Sequence, residues 1–388
     1  MQTQMSAVVF KTMAAMTQIG YEVDVLCAGS IYPHLPLDTS LLPYVEKIFP
    51  SITRLTPSNN FLGRFRRRYE LLSRIPDFMT VLHAHAYEHL MDLDLNQYSA
   101  VITWSPYHSI NPVMVRVKKQ RKSVRWVAQF SDPWLGNPLE VNRLSNIWNK
   151  VHEPNTVNNA DFIVHSSAYS LELMLRNHAQ DIRHKTAVLP HVFCEELYPK
   201  RAKEKNNKII LRYVGALYGR RSPEPLFLAI GKLYERRKDL QGMLAIELIG
   251  SVASEMLNSS AAKSLPANTV THVPNVSYVQ SLELMYDADI LLLIEADIKK
   301  NLFLASKLSD YLGANRPIVG LVPPGTSEDA LFELGCWYAR PVDIEGISFG
   351  LEGAIDYVMT SDHQSSWCNL FVRSSFSSGG FKFQVQQS

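Results

Sequence analysis

Little in this sequence could staple a fold or anchor it in a membrane. The four cysteines, Cys27, Cys194, Cys336 and Cys368, are far apart and form no C-x-x-C pair. That spacing argues against a thiolate zinc site, which needs close ligand pairs. A disulfide framework belongs to much smaller secreted chains, so a reducing compartment is expected. No apolar run approaches the ~20 residues that span a bilayer. The opening Met1-Gln2-Thr3-Gln4 has no basic stretch followed by an apolar core, so no secretory signal is expected. An excess of one charge is missing as well. The chain sets 39 Lys+Arg against 37 Asp+Glu, for a net charge of +2, whereas general nucleic-acid binders carry a clear basic surplus. There is no solenoid-period repeat, no low-complexity tract, no P-loop lysine motif and no G-x-G-x-x-G.

What is present is a recurring unit: a short apolar run, a loop, then an amphipathic helical pattern. The strand-like runs are 22–27, 100–104, 124–128, 162–164 and 187–189, then 209–214, 245–249, 290–294 and 318–322. They are short, rich in branched aliphatics and bounded by Gly, Pro or Ser, as buried parallel strands are. Helical patterns between them point to α/β doubly wound architecture. At 388 residues the chain is long for one core, so two domains are expected. The break falls at 200–208, Lys-Arg-Ala-Lys-Glu-Lys-Asn-Asn-Lys, which has almost nothing to bury. The expected division is a first domain over 1–199, a linker over 200–208, a second domain over 209–350, and a helical tail over 351–388 that crosses back to the first domain.

Ligands of open α/β sheets bind outside the carboxyl ends of the strands, so the loops after strands carry the chemistry. After the 209–214 run comes Gly215-Ala216-Leu217-Tyr218-Gly219-Arg220-Arg221-Ser222-Pro223-Glu224. Ser222 suits an N-cap, Pro223 the first helical position, and Glu224 the helix dipole. A helix start beside two arginines can hold a diphosphate through free N–H groups and guanidinium forks; solvated surface arginines are the alternative. Ser306-Lys307-Leu308-Ser309-Asp310-Tyr311-Leu312-Gly313-Ala314 reads as a short helix ended by Gly313 or Asn315, with Pro317 preventing continuation. Lys307 and Asp310, three apart, share a face. The ammonium could meet phosphate, and the carboxylate could accept both vicinal hydroxyls of a ribose; a plain surface ion pair is the alternative. In Phe130-Ser131-Asp132-Pro133-Trp134-Leu135-Gly136, Asp132 could bond sugar hydroxyls and Trp134 could offer a ring face, or Trp134 could simply pack the loop. His108, in Tyr107-His108-Ser109, could bond phosphate or a hydroxyl, or serve as a cap.

In their order and spacing these pieces, with Tyr213-Val214-Gly215 and Asp287-Ala288-Asp289-Ile290-Leu291-Leu292, resemble the family-four retaining glycosyltransferases, especially bacterial members that build surface polysaccharides. The resemblance spans about Gln4 to Asp356. It implies two Rossmann-like domains facing a cleft, the GT-B arrangement, with the acceptor on the first and a nucleotide-diphosphate sugar on the second. The family's diphosphate-binding basic residue falls on Arg220 and Arg221, and its ribose-binding acid on Asp310. The expected donor set is Gly215, Arg220, Arg221, Ser306, Lys307 and Asp310. Asp132 and His108 are the catalytic candidates. No metal is expected, nor a cofactor beyond the sugar nucleotide as co-substrate. The expected partners are a glycan or lipid-linked acceptor and an anionic membrane touched peripherally from the cytoplasmic side through Arg64-Phe65-Arg66-Arg67-Arg68-Tyr69 and the series Arg116 to Arg125; no nucleic acid is expected.

The sequence departs from the family in several places. Leu302 stands where a glutamate often lies near the donor sugar, Ala216 replaces the arginine after the first glycine, and the usual glutamate pair is not present. The opening strand and its glycine-rich loop have no counterpart before Thr12, so a weakened first domain is expected; the tail from Ser374 also reads as less helical than the family's crossing helix. A sugar-nucleotide epimerase of similar fold, or a truncated chain that only binds nucleotide or a partner, are the alternatives. His85-Ala86-Tyr87-Glu88-His89 matches an inverted zinc-protease pattern but lacks a third-ligand motif. Asp92-Leu93-Asp94 and Asp287-Ala288-Asp289 precede strands, where a metal-binding D-x-D would follow one; Glu295-Ala296-Asp297 does follow one and is the rival metal site.

Overall fold

The computed structural model describes residues 4–29, 38–56, 76–105, 107–138, 142–178, 181–203, 206–360 and 366–381. Twelve strands are described. They are β1 (Asp24–Ala28), β2 (Ser51–Leu55), β3 (Val101–Trp104), β4 (Trp126–Phe130), β5 (Phe162–His165), β6 (Thr186–Val188), β7 (Ile209–Val214), β8 (Leu244–Ile249), β9 (Val270–Val273), β10 (Ile290–Ile294), β11 (Ile318–Leu321) and β12 (Trp337–Ala339).

The second half is one parallel sheet of order β12-β11-β10-β7-β8-β9. The chain runs outward from β7 to β9, then returns to lay β10 on the other side of β7. The order therefore reverses between β7 and β10, which makes the loops after these two strands a natural ligand site. Every residue of β10 is buried, as both-face coverage by helices requires.

In the first half, β3-β4-β5-β6 form a four-stranded parallel sheet, and β1-β2 form a separate parallel pair. Among the described residues no ladder joins β1 to β3. The Tyr98 hydroxyl reaches across to Asp24 Oδ2 at 2.7 Å, and Leu26 and Leu55 pack against the core of the larger sheet.

The expected linker is strapped down by its charges. Arg201 grips both oxygens of Asp287 at 2.9 and 2.6 Å, and Lys203 pairs with Asp289. Asp289 Oδ2 also accepts the Ile210 N–H at 2.8 Å, so this acidic pair fixes the start of β7. The boundary drawn at 350 needs correction. One helix runs through it, Ile344–Thr360, with Ile347, Leu351, Ala354 and Ile355 buried in the core of the second sheet. The chain then comes back against residues of the first half. The Phe376 carbonyl accepts the Phe193 N–H at 2.8 Å, and Phe381 packs on Ala15 and Val192. Among the described residues no helix is long and apolar enough to cross a membrane.

Candidate functional site

The helix Ser306–Ala314 follows β10 and ends at Asn315 in the left-handed region, φ 55°, as its sequence indicates. It is held at three levels. Tyr311 hydroxyl accepts the Val214 N–H at 3.2 Å and donates to the Leu292 carbonyl at 3.0 Å, tying the helix to β7 and β10. The hydroxyl end of the Tyr198 ring abuts Gly313, where a Cβ would come within 2.3 Å of it, and its hydroxyl donates to the Asp310 carbonyl at 2.9 Å. A side chain at 313 would push the helix off this seat.

Two cations meet at the head of the site. Lys307 is buried, donates to the Tyr213 hydroxyl at 2.8 Å and sits over the Tyr213 ring. The Arg221 guanidinium lies near the same hydroxyl and pulls its pKa down against burial, and the Arg221 Nε is buried without a hydrogen-bond partner among the described residues. Burial first, and the repulsion of Arg221 second, push the Lys307 ammonium down to about 7. Gly215 borders Lys307 and the Tyr213 hydroxyl. Its φ is 140°, and a Cβ there would lie 2.5 Å from Lys307 Nζ. Two cations crowded on one hydroxyl, with one guanidinium N–H unused, have the polarity of an anion site. Of the other expected donor residues, Arg220 is exposed, and Ser306 opens the helix, its carbonyl accepting from Ser309. The adjacent helix begins one residue later than its sequence indicates, at Glu224, with Ser222 Oγ accepting the Glu224 N–H at 3.2 Å.

Asp310 does not pair with Lys307. Its Oδ1 takes the Lys11 ammonium at 2.5 Å and the Tyr278 hydroxyl at 2.8 Å, so only Oδ2 remains open for a hydroxyl. Glu295, raised here only as a metal candidate, is a buried anchor. It accepts from Ser327 Oγ at 2.7 Å and Asn301 Nδ2 at 2.8 Å. Burial pushes its carboxyl up, against the pull of these bonds and of Arg221 and Lys307. Asn301 in turn holds the start of the helix Thr326–Leu334, its carbonyl accepting the Thr326 N–H at 3.1 Å. Among the described residues no group of His, Cys, Asp and Glu could hold a metal ion.

The first half presents the loops after β3, β4 and β5. Trp134 is buried, stacks on His108 with centroids 4.8 Å apart, and donates to Asn149 Oδ1 at 2.8 Å. It packs its loop, and the reading of it as a sugar platform is corrected. Buried Glu153 pins that loop by accepting the Leu135 N–H at 2.6 Å. The Pro133 backbone lies near His108 and favours its protonated form slightly, and the His108 Nδ1 is buried without a hydrogen-bond partner among the described residues. Burial pushes its pKa down to about 3, so it works only as neutral imidazole near pH 7. Asp132, next to Pro133 in the chain, is half-buried. No hydrogen bond or ion pair to its carboxylate is found among the described residues, and burial pushes it up to about 6. The halves touch where Ser167 Oγ meets Thr326 Oγ1 at 2.8 Å and Tyr169 hydroxyl donates to Asp329 Oδ2 at 2.7 Å. Strand-end loops of the two sheets thus face one another.

No family model and no curated protein sequence matches the chain. Solved structures do. HepE from Anabaena, in complex with UDP-glucose, superposes with a TM-score of 0.62 at 12% identity, covering 94% of this chain and 98% of that one. Sucrose-phosphate synthase from Thermosynechococcus elongatus gives 0.63 at 14% identity over 98% of this chain and 91% of its own. The apo form of OtsA gives 0.62 at 14% identity over 98% and 95%. At these identities the likeness establishes the fold, which is the GT-B arrangement of two Rossmann-like halves.

Proposed function

We propose that this protein is a glycosyltransferase that moves a sugar from a nucleotide-diphosphate donor to a glycan or lipid-linked acceptor, with retention and without a metal, in the making of cell-surface polysaccharide. The observation that carries the reading is the unpartnered Nε of Arg221 beside buried Lys307 above Gly215. Two fixed cations stabilise the charge that grows on a departing diphosphate, the task a metal performs elsewhere. The complexes of HepE with UDP and UDP-glucose support the choice of nucleotide class. The test is release of nucleoside diphosphate from a panel of sugar nucleotides in the presence of chelator. Absence of saturable binding to every member would sink the proposal, and activity restored only by magnesium would return the case to Glu295 and Asp297.

Asp132 forms the acceptor side, where its carboxylate accepts a hydrogen bond from a sugar hydroxyl, with His108 packed behind the loop that carries it. A carboxylate near pKa about 6 makes transfer pH-dependent. The rate, as kcat/KM, is expected to fall as pH drops through about 6, because the protonated acid loses acceptor capacity. The acid limb of that profile should vanish in Asp132→Asn; an unchanged limb removes Asp132 from the mechanism.

The membrane contact has structural support on the helix Arg143–Asn159. Leu144, Ile147 and Val151 are 58%, 61% and 55% exposed, spaced along one face. The other exposed residues of the helix are Arg143, Lys150, Asn155 and Asn158, and its one carboxylate, Glu153, is buried. Arg116, Lys119, Lys122 and Arg125 are exposed on and just after the neighbouring helix Asn111–Gln120; the cluster at 64–69 lies outside the described residues. An apolar stripe flanked by cations suits an anionic leaflet, each cation adding about 1 kcal/mol. Sedimentation with phosphatidylglycerol vesicles should exceed that with phosphatidylcholine vesicles and fall in Leu144→Ser/Ile147→Ser/Val151→Ser. Equal pelleting in all cases removes the contact.

A further inference from the structure

Lys11 lies on the helix Gln4–Gln18, with 1% of its side chain exposed. Its ammonium spans 299 positions of sequence to reach Asp310 Oδ1, and it also donates to Ser309 Oγ at 3.0 Å. Tyr278 donates to the same Oδ1. An ionised carboxylate offers about four acceptor sites over its two oxygens. Both donors fall on one oxygen, Oδ2 has no hydrogen-bond partner among the described residues, and the Asp310 side chain keeps 10% exposure. A purely structural ion pair this deep would be saturated on both oxygens.

We propose that Lys11 is a positioning residue for nucleotide recognition: it holds one oxygen of Asp310 so that the other is presented to the ribose hydroxyls. This rests on the reading of the chain as a sugar-nucleotide transferase. The backbone at Asp310 is already fixed by Tyr198 and Tyr311, so only the side-chain torsions remain to be set, and Lys11 and Tyr278 set them. Without Lys11 the carboxylate keeps one donor. The next cation close enough to attract it is Lys307, three residues back on the same helix. Swinging there would withdraw Asp310 from the ribose.

The experiment measures calorimetric binding of UDP, 2′,3′-dideoxy-UDP and pyrophosphate. The wild type should favour UDP over the dideoxy analogue. In Lys11→Met that preference should shrink about tenfold, the loss of one good hydrogen bond, while pyrophosphate affinity stays within about twofold. Lys11→Arg should keep the preference. Should Lys11→Met fail to fold, Lys11→Gln, which keeps a neutral donor, is expected to show the same shrinkage. Equal weakening of all three ligands, or an unchanged preference, would overturn the role. Failure of the wild type to bind any of the three overturns the transferase reading itself.

Discussion

Asp310→Asn is expected to lower the free energy of unfolding by about 3–5 kcal/mol, the range for removing one partner of a buried ion pair. Lys11 is left inside the protein with its ammonium, the Ser309 hydroxyl as its acceptor, and no countercharge of its own. The asparagine can still accept from Tyr278, so the loss measures charge rather than shape. Lys11→Met leaves the opposite residue, Asp310, and is expected to cost less, because that side chain retains 10% exposure against 1% for Lys11. Lys11→Met/Asp310→Leu removes both charges and is expected to regain most of the loss, since an apolar pair of similar volume is tolerated where an ion pair was. Urea unfolding of Lys11→Met, Asp310→Leu and the double variant supplies the cycle, with Asp310→Asn measured beside it. A loss below about 1 kcal/mol for Asp310→Asn would place the pair among the solvent-screened kind. The expected size also governs how function is measured: a drop in nucleotide affinity for Asp310→Asn must be taken at a temperature where the variant is fully folded.

The second half was largely legible from sequence, and the reason is burial. Ile290–Ile294 is covered on both faces, so its apolar run names it as a strand. The strands that sequence reading overlooked are edge or short elements. Ser51–Leu55, Val270–Val273 and Trp337–Ala339 each have one neighbour in their sheet, and two of them mix exposed residues with half-buried ones. The helix Ser306–Ala314 was readable because its stop, Asn315, is a local signal. Partners distant in sequence were not readable. Nothing near Lys11 points to Asp310, and the Glu295–Ser327–Asn301 cluster exists only once the loop after β10 folds against the helix Thr326–Leu334. Trp134 illustrates the same limit. Its loop is held by Glu153 at Leu135, and Asn149 and His108 decide that the ring faces inward.

Arg221→Met and Lys307→Met are each expected to weaken binding of a nucleoside diphosphate by about 10- to 150-fold, the loss of a charge-assisted hydrogen bond worth about 1.5–3 kcal/mol. The two differ in their pH dependence. In the free protein Lys307 titrates near about 7, chiefly because it is buried, and secondly because Arg221 repels it. A bound diphosphate favours the charged lysine, so binding takes up a proton at any pH where the free lysine is neutral. The sign follows directly: affinity holds below about 7 and falls as pH rises above it, by at most about tenfold per unit. Lys307→Met removes the titrating group and should flatten that limb. Arg221→Met removes the like charge, so Lys307 should stay protonated to higher pH and the limb should move upward while overall affinity drops. Two cations that merely sit near one another in the fold would give neither effect. Parallel pH profiles for the wild type and both variants would therefore count against a shared anion at this site, even if all three bound the nucleotide.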